Sequence, residues 1–286
     1  MSEGATAILR MCCPDRSGII ADVSNFIFRN RGNIVHLDQH VDVEADVFFA
    51  RIEWQLDGFL IPRDGVASAV GDLVRPFECS QFDLDFTDVR PRLALFVTKE
   101  SHCMYDLLVR HRSGELDVEI PLIISNHEAL KTDAENFGVE FHHLPITKAT
   151  KAKQEGAIQQ LLANHAIDTV VLARYMQILS DDFLDEFGKP VINIHHSFLP
   201  AFVGAKPYHQ AYERGVKIIG ATSHYVTAEL DQGPIIAQDV IQISHKDSVQ
   251  DFIRRGRDLE KIVLARAVWQ HVRRRILSYD NRTVVF

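Results

Sequence analysis

The 286-residue sequence has no long apolar run, few cysteines and no excess of basic residues. Its longest apolar stretches, such as residues 93–97, are strand-sized and far shorter than the roughly 20 residues that span a bilayer. The first five residues lack the basic start and the apolar stretch of a secretory signal. These absences predict a cytoplasmic protein with no membrane partner.

The four cysteines, Cys12, Cys13, Cys79 and Cys103, are too few to form a disulfide framework in a chain of this length. We predict reduced thiols, as expected in the cytoplasm. The formal net charge of -8 argues against a general affinity for nucleic acid, which needs clustered lysines and arginines to displace counterions from phosphates. The basic run at residues 273–275 is interpreted as a solvated helix end.

Length and hydrophobic patterning together predict two domains. Within residues 1–86, the pattern predicts the order strand, helix, strand, strand, helix, strand, which is a ferredoxin-like α+β unit. Apolar and polar residues alternate over residues 51–56, which indicates a sheet with one solvated face. Residues 87–91 are predicted to form a linker. In residues 92–286, strands alternate with helices, which favours a mostly parallel, doubly wound α/β domain.

The segment 191–200 begins as an apolar strand and ends in polar residues. Asn193 and His195 are predicted to face the same side, because side chains alternate along a strand. The carboxyl end of a parallel strand is where open α/β sheets place their sites. A turn downstream carries one carboxylate, Asp231. Each residue alone has an ordinary explanation, since aspartates are common in turns, so the catalytic trio is a hypothesis.

Four sequence segments resemble the folate-dependent formyltransferases. In chain order they read VVLARYMQILS at 170–180, INIHHSFLP at 192–200, GATSHYV at 220–226 and DQGPII at 231–236. In that family an Asn, a His and an Asp handle the formyl group, which implies these roles for Asn193, His195 and Asp231 in a catalytic domain over residues 92–286. The resemblance also implies an apolar slot for the pterin, lined by Leu172, Ile178, Leu179 and Phe183. Ordinary core packing is the alternative for these four residues.

Within this family, the long match over residues 193–215, which includes FLPAF at 198–202 and PYHQAY at 207–212, resembles the formyltetrahydrofolate deformylases most closely. That resemblance implies hydrolysis of 10-formyltetrahydrofolate to formate and tetrahydrofolate without a cofactor, supplying formate for purine synthesis and balancing the one-carbon pool. A transferase acting on glycinamide ribonucleotide holds the acceptor's phosphate in a glycine-rich loop. The corresponding residues 97–104 contain no glycine, and Glu100 would repel a phosphate. Two alternatives stay open: a transferase with another acceptor, and an inactive folate or amino-acid sensor.

The turn after the first predicted strand resembles that of the ACT domain, a module that commonly binds amino acids between subunits. The resemblance covers roughly residues 6–86. It implies a regulatory domain, a homo-oligomer and an amino-acid effector contacting Asp15, Arg16, Ser17 and Gly18. The alternative is an oligomerisation domain without a ligand.

Adjacent histidines occur at 142–143 and 195–196. We predict no metal site at either pair, because neighbouring residues of a strand diverge and no third ligand is suitably spaced. For the same reason His196 is expected to point away from His195 and to have a packing role.

Overall fold

The computed structural model describes residues 4–147, 149–201 and 207–286. The chain divides into two compact units, one formed by Met1–Arg90 with Arg273–Phe286 and the other by Pro91–Val272. The C-terminal segment therefore belongs to the first unit, whereas the sequence analysis assigned it to the second domain. No described helix is long and apolar enough to cross a membrane.

The first unit contains a four-stranded antiparallel sheet and two helices. Its elements are β1 (Thr6–Pro14), α1 (Ile19–Arg29), β2 (Ile34–Asp42), β3 (Val47–Gln55), α2 (Arg63–Val74) and β4 (Gln81–Phe86), with a 3-10 turn at Arg75–Phe77. The strands lie in the order β2-β3-β1-β4. Leu9 and Met11 of β1 share one core with Val23 of α1 and Val70 of α2. The predicted ferredoxin-like unit is confirmed.

The second unit contains a seven-stranded sheet flanked by helices. Its elements are β5 (Arg92–Val97), α3 (His102–Arg112), β6 (Glu119–Ser125), α4 (Lys131–Asn136), β7 (Glu140–His143), α5 (Lys151–Asn164), β8 (Thr169–Leu172), α6 (Asp181–Phe187), β9 (Val191–His195), α7 (Pro207–Arg214), β10 (Ile218–Tyr225), β11 (Ile235–Gln242) and α8 (Val249–Val272). The strand order is β11-β10-β9-β8-β5-β6-β7. β5 to β9 are parallel and β10 is antiparallel to both neighbours, so the predicted mostly parallel α/β domain is confirmed.

The centre of this sheet explains where a site can form. β5 is buried on both faces, as Leu95 and Phe96 illustrate, and such a continuous apolar run is typical of a parallel strand between two helical layers. β5 pairs with β6 on one side and with β8 on the other. The chain therefore reverses its progress across the sheet between β5 and β8, and ligands of open α/β sheets bind beside such a reversal.

The C-terminal segment forms a hairpin, β12 (Ile276–Tyr279) and β13 (Arg282–Val285), which the sequence analysis did not predict. Leu277 and Phe286 pack with Cys12 and Phe49 of the first unit's sheet. Burial of these side chains is the physical reason why the segment joins the first unit rather than the second.

The hairpin segment also covers the sheet face that we predicted to be solvated. Arg51 of β3 is only 4% exposed. Its Nε donates to the backbone oxygen of Arg274 at 2.9 Å, and its Nη2 donates to Glu53 at 2.8 Å. The predicted alternation along β3 is therefore present. Its polar side is nevertheless covered by a distant segment, which supplies the acceptors that a buried guanidinium needs.

Candidate active site

Strand pairing between β9 and β10 sets three polar side chains beside one another. In the antiparallel register Asn193 lies opposite His224, and His195 lies opposite Thr222. Directly opposite residues share a sheet face. Asn193, His195 and His224 all line the same cavity, so the structure brings the predicted Asn and His together and adds a histidine that the sequence analysis did not single out.

The carboxylate of Asp231 comes from the turn between β10 and β11. Asp231 has a φ of 58°, in the left-handed region where aspartate is one of the few enriched non-glycine residues. Gly233 holds this turn against the end of β10, because a Cβ there would lie 1.9 Å from the backbone oxygen of Tyr225. The Tyr225 amide donates to the Pro234 oxygen at 2.9 Å, which fixes the position of the turn.

Asp231 lies between two imidazoles. Its Oδ2 is 3.2 Å from His195 Nδ1, and its Oδ1 is 3.6 Å from His224 Nε2. The hydrogen bond from His195 first, and the nearby His224 ring second, hold the pKa of Asp231 well below its usual range. The carboxylate is therefore ionised at neutral pH, and because it only accepts hydrogen bonds, the His195 nitrogen facing it carries the proton.

The opposite nitrogen of His195 has a different environment. Nε2 is buried and makes no hydrogen bond within the described part of the chain. With Nδ1–H directed at Asp231, Nε2 of a neutral ring keeps its lone pair for a proton from the cavity. A carboxylate, an oriented imidazole and an open nitrogen form a general acid–base unit.

His224 orients the predicted Asn193. Its Nδ1 lies 2.9 Å from the Tyr225 backbone oxygen and must donate to it, since a carbonyl only accepts. Nε2 of the neutral ring then accepts from the Asn193 amide nitrogen at 3.2 Å. The amide is therefore held by one of its two N–H groups, which leaves the other available to a ligand.

The cavity beside these residues has a volume of about 310 Å³, in the size range of small-molecule sites. The predicted Leu172, Ile178 and Leu179 line it. Ile178 is 61% exposed, and a large apolar side chain open at a cavity rim is typical of a binding surface. The segment carrying it is anchored, because the Met176 amide donates to Thr98 Oγ1 at 3.1 Å.

Phe183, the fourth residue predicted to line the slot, lies elsewhere. It is 2% exposed and packs in the core of the second unit, with its ring 6.5 Å from that of Phe96. Its amide donates to Ser180 Oγ, which caps α6. The prediction for Phe183 is wrong in this respect, because the short capped helix α6 turns the side chain inward.

His196 contacts His195, contrary to expectation. Their ring centroids are 5.3 Å apart, because β9 ends at His195 and the alternation of a strand no longer applies to the next residue. His196 also lies against the ring of Tyr208 at 5.9 Å. Burial first, and the charge of Arg174 second, lower the pKa of His196 to about 4, so its imidazole is neutral at physiological pH.

A buried polar cluster lies next to His196. Glu260 of α8 has no exposed surface. Its carboxylate contacts His102 Nε2 at 2.8 Å, Arg174 Nε at 3.5 Å and the Tyr208 hydroxyl. Burial alone would raise the pKa of Glu260, but the hydrogen bond from His102 and the charge of Arg174 outweigh it and lower that pKa. No spacing in the sequence signals this cluster, because its members come from four separate elements.

Each of two groups of described side chains offers three potential metal ligands. The first is His102, Cys103 and Glu260, and the second is Glu140, His142 and His165. In the first group, burial raises the pKa of the Cys103 thiol and Arg174 already balances Glu260, which disfavours a cation. In the second group, Glu140 of β7 and His165 at the end of α5 lie close to His142. Our expectation that no third ligand is suitably placed is therefore wrong for His142.

The predicted effector turn lies between β1 and α1. Asp15, Arg16, Ser17 and Gly18 are all exposed. Gly18 has a φ of 97°, which favours glycine, and the Arg16 guanidinium lies 4.9 Å from the Phe77 ring centroid. The turn is thus accessible to a small ligand.

Comparison with known proteins defines the class first. A family model described as formyl transferase matches residues 91–268, and one described as ACT domain matches residues 7–53. The chain is therefore an enzyme of the formyltransferase fold with an ACT domain in front.

Individual relatives narrow the class further. A formyltetrahydrofolate deformylase from Synechocystis sp. is 57% identical over 284 residues, 99% of each chain. The crystal structure of a formyltetrahydrofolate deformylase from Pseudomonas syringae pv. tomato superposes with a TM-score of 0.96 at 45% identity, covering 100% of this chain and 96% of that one. Glycinamide ribonucleotide transformylase 1 from Symbiobacterium toebii has a TM-score of 0.66 at 28% identity, over 71% of this chain and 98% of that one. The chain belongs to the formyltetrahydrofolate deformylase family, which confirms the predicted resemblance.

Proposed function

We propose that this chain hydrolyses 10-formyltetrahydrofolate to formate and tetrahydrofolate, with Asn193, His195 and Asp231 as its catalytic residues. Membership of the deformylase family supports the reaction. The 3.2 Å contact between Asp231 and His195, whose Nε2 is left without a partner among the described residues, supports the roles of the side chains.

The reaction begins when water adds to the formyl carbon. His195 Nε2 takes the proton of the attacking water, and Asp231 stabilises the imidazolium that forms. The formyl oxygen becomes an oxyanion, and the N–H of Asn193 not used by His224 donates to it. In comparable sites the loss of one oxyanion donor costs about 3 kcal/mol, or roughly a hundredfold in rate.

Collapse of the intermediate breaks the bond between carbon and N10. His195 returns its proton to N10, tetrahydrofolate leaves, and the formic acid loses its proton to become formate. Leu172, Ile178 and Leu179 hold the pterin in the apolar part of the cavity. No cofactor takes part in these steps.

Water, rather than a phosphorylated amine, is the acceptor. At the start of α3, where a transferase would hold a phosphate, His102 is bonded to the Glu260 carboxylate and Glu100 lies near the same ring. The Glu100 carboxylate disfavours a phosphate at this place, and the His102 ring is already engaged. Released formate then supplies purine synthesis and balances the one-carbon pool, and the enzyme works in the cytoplasm.

The deciding experiment incubates purified protein with 10-formyltetrahydrofolate alone and measures formate. Stoichiometric formate without any acceptor is the expected result. A parallel reaction contains glycinamide ribonucleotide. Formyl loss that requires this ribonucleotide, with its formylated product, would replace the hydrolase by a transferase, and binding without turnover would indicate a sensor.

The ACT domain regulates the enzyme as part of a homo-oligomer, with an amino acid bound at the turn Asp15–Gly18. Gly18 and Gly58 offer a matched test, because both have positive φ values and neither has a heavy atom within 4 Å of the position that an added Cβ would take. Gly18→Ala should abolish the effect of the amino acid on formate release, whereas Gly58→Ala should retain it. A monomeric full-length chain by light scattering, or activity indifferent to every common amino acid, would remove this proposal.

A further inference from the structure

Arg174 has a backbone conformation that is costly for its residue type. It follows β8 directly and has a φ of 65°. In the left-handed region a residue with a Cβ is destabilised relative to glycine. Such strain persists where the side chain has a use that compensates for it, and it concentrates at functional sites.

The guanidinium of Arg174 is buried without enough acceptors. The side chain is 14% exposed, and its Nε and Nη1 make no hydrogen bond within the described part of the chain. Glu260 Oε2 lies 3.5 Å from Nε, which is an ion pair and not a hydrogen bond. A buried donor without an acceptor destabilises the fold, so this guanidinium is prepared for an acceptor from outside the protein.

Glu260 does not serve as that acceptor, because each of its oxygens is directed at another donor. Oε2 lies 2.8 Å from His102 Nε2, and Oε1 accepts from the Tyr208 hydroxyl. Glu260 instead balances the charge of Arg174, which lets a cation be buried while its N–H groups stay available.

Arg174 faces the reacting groups. It lines the same cavity as Asn193, His195 and His196. A neutral His196 beside it adds a donor without adding a second positive charge. Among the described residues that line the cavity, Arg174 is therefore the one with a guanidinium, and it lines the cavity together with His195.

We propose that Arg174 forms a subsite for a small planar carboxylate, and that its ligand is the formate released by the enzyme. The identity of this anion rests on the proposed hydrolysis. Water supplies the second oxygen of formate, the bond from carbon to N10 breaks, N10 takes one proton, and the acid proton of formic acid goes to solvent. The two oxygens of the resulting carboxylate match the parallel N–H groups on the guanidinium edge that Nη1 shares with Nη2.

The subsite has a consequence for turnover. Arg174 binds the anion only after it forms, so it stabilises the complex with the product relative to the complex with the neutral formyl amide. Formate should therefore inhibit the enzyme as a product, and the inhibition should depend on Arg174.

The test combines inhibition with a binding measurement that needs no turnover. Sodium formate is added to wild type, Arg174→Met and Arg174→Lys, with sodium chloride keeping the ionic strength constant. Arg266→Met is the matched control, since Arg266 is half exposed and pairs with Asp239. The wild type and Arg266→Met should be inhibited by formate and should melt at a higher temperature in its presence.

In Arg174→Met the inhibition constant of formate should rise by about tenfold or more, the loss expected for one charge-assisted pair, and the formate-dependent rise in Tm should disappear. Arg174→Lys should fall between the two. If Arg174→Met does not fold, Arg174→Gly removes the guanidinium together with the backbone strain and gives the same comparison.

Three outcomes would overturn the subsite. The first is a wild type that formate leaves unaffected in both measurements, and the second is an Arg174→Met protein that keeps the wild-type response. The third, a raised KM for 10-formyltetrahydrofolate with an unchanged formate constant, would assign Arg174 to the folate instead. Failure of the proposed function is separate, because wild type would then release no formate while the Tm response still reports on the subsite.

Discussion

At the scale of single residues, the site is organised by the charges around His195. Asp231 is ionised because His195 donates to it and the His224 ring lies close by, and this fixes which nitrogen of His195 carries the proton. His196 stays neutral beside it. A cationic His196 would add a second positive charge beside Arg174, which the neutral ring avoids.

Replacement of Asp231 by Asn tests this arrangement. The change keeps the size and turn chemistry but removes the charge that supports the His195 imidazolium. We expect formate release to fall by roughly a hundredfold or more while 10-formyltetrahydrofolate still binds, as for an interaction made mainly in the transition state. Asp182→Asn, an exposed change on α6, is the control. Near wild-type turnover in a folded Asp231→Asn protein would remove the carboxylate from the mechanism.

His196 should make stability depend on pH. Its pKa is about 4 in the folded chain and about 6.5 when unfolded. Between these values only the unfolded state binds the proton, so stability rises with pH from 4 to 6.5 and is lost as pH falls, by at most about 3 kcal/mol. The other charged groups facing this ring are Arg174, Glu260, His195 and Asp231.

The measurement is urea unfolding at intervals across this pH window. His196→Gln should flatten the slope, whereas His245→Gln, an exposed change, should leave it. Asp231 does not interfere, because a depressed carboxyl pKa costs stability only as pH falls below about 3.9. An unchanged slope in His196→Gln would contradict the prediction.

At the scale of elements, the sequence predicted what lies within one strand and missed what depends on pairing. Alternation along β9 placed Asn193 and His195 on one face. His224 belongs to the segment GATSHYV at 220–226, but its place opposite Asn193 follows only from the pairing of β9 with β10. Glu260 lies in the long helix α8. A buried glutamate in that helix can be explained only by its partners, which come from other elements. Phe183 was misplaced because the seven-residue helix α6 is too short for its period to be read.

The β10–β11 turn offers a prediction for one element. Gly233→Ala would put a Cβ 1.9 Å from the Tyr225 oxygen, so the turn must move and carry Asp231 away from His195. Turnover should fall by roughly tenfold or more, since a displacement of about 1 Å is costly in catalysis.

The control for Gly233→Ala is Gly156→Ala. Gly156 lies inside α5 with nothing near a Cβ, and alanine there should preserve activity and stabilise the helix by about 0.5 to 1 kcal/mol. Wild-type turnover in Gly233→Ala would show that the turn adapts without moving its carboxylate.

At the scale of the whole molecule, the chain returns to its first unit after completing the second. The C-terminal hairpin gives that unit apolar cover over Phe49 and backbone acceptors for Arg51. Patterning predicted the ferredoxin-like order but not this addition, because four-residue strands carry little periodicity and their partner lies more than 200 residues away in sequence. The first unit therefore joins an ACT domain to the last residues of the chain.

Leu277→Ala should consequently destabilise the first unit. Leu277 is 1% exposed, and truncation of a buried leucine costs about 2 to 5 kcal/mol.

The two tryptophans report on the units separately, since Trp54 is in the first and Trp269 in the second. With Trp269→Phe as background, the unfolding of Trp54 should shift to lower urea in Leu277→Ala. With Trp54→Phe as background, the transition of Trp269 should stay in place. Val285→Ala, on the same hairpin but 38% exposed, is the matched control and should shift neither. If Leu277→Ala moved only the Trp269 transition, the hairpin would stabilise the second unit, and the division of the chain at residue 273 would be wrong.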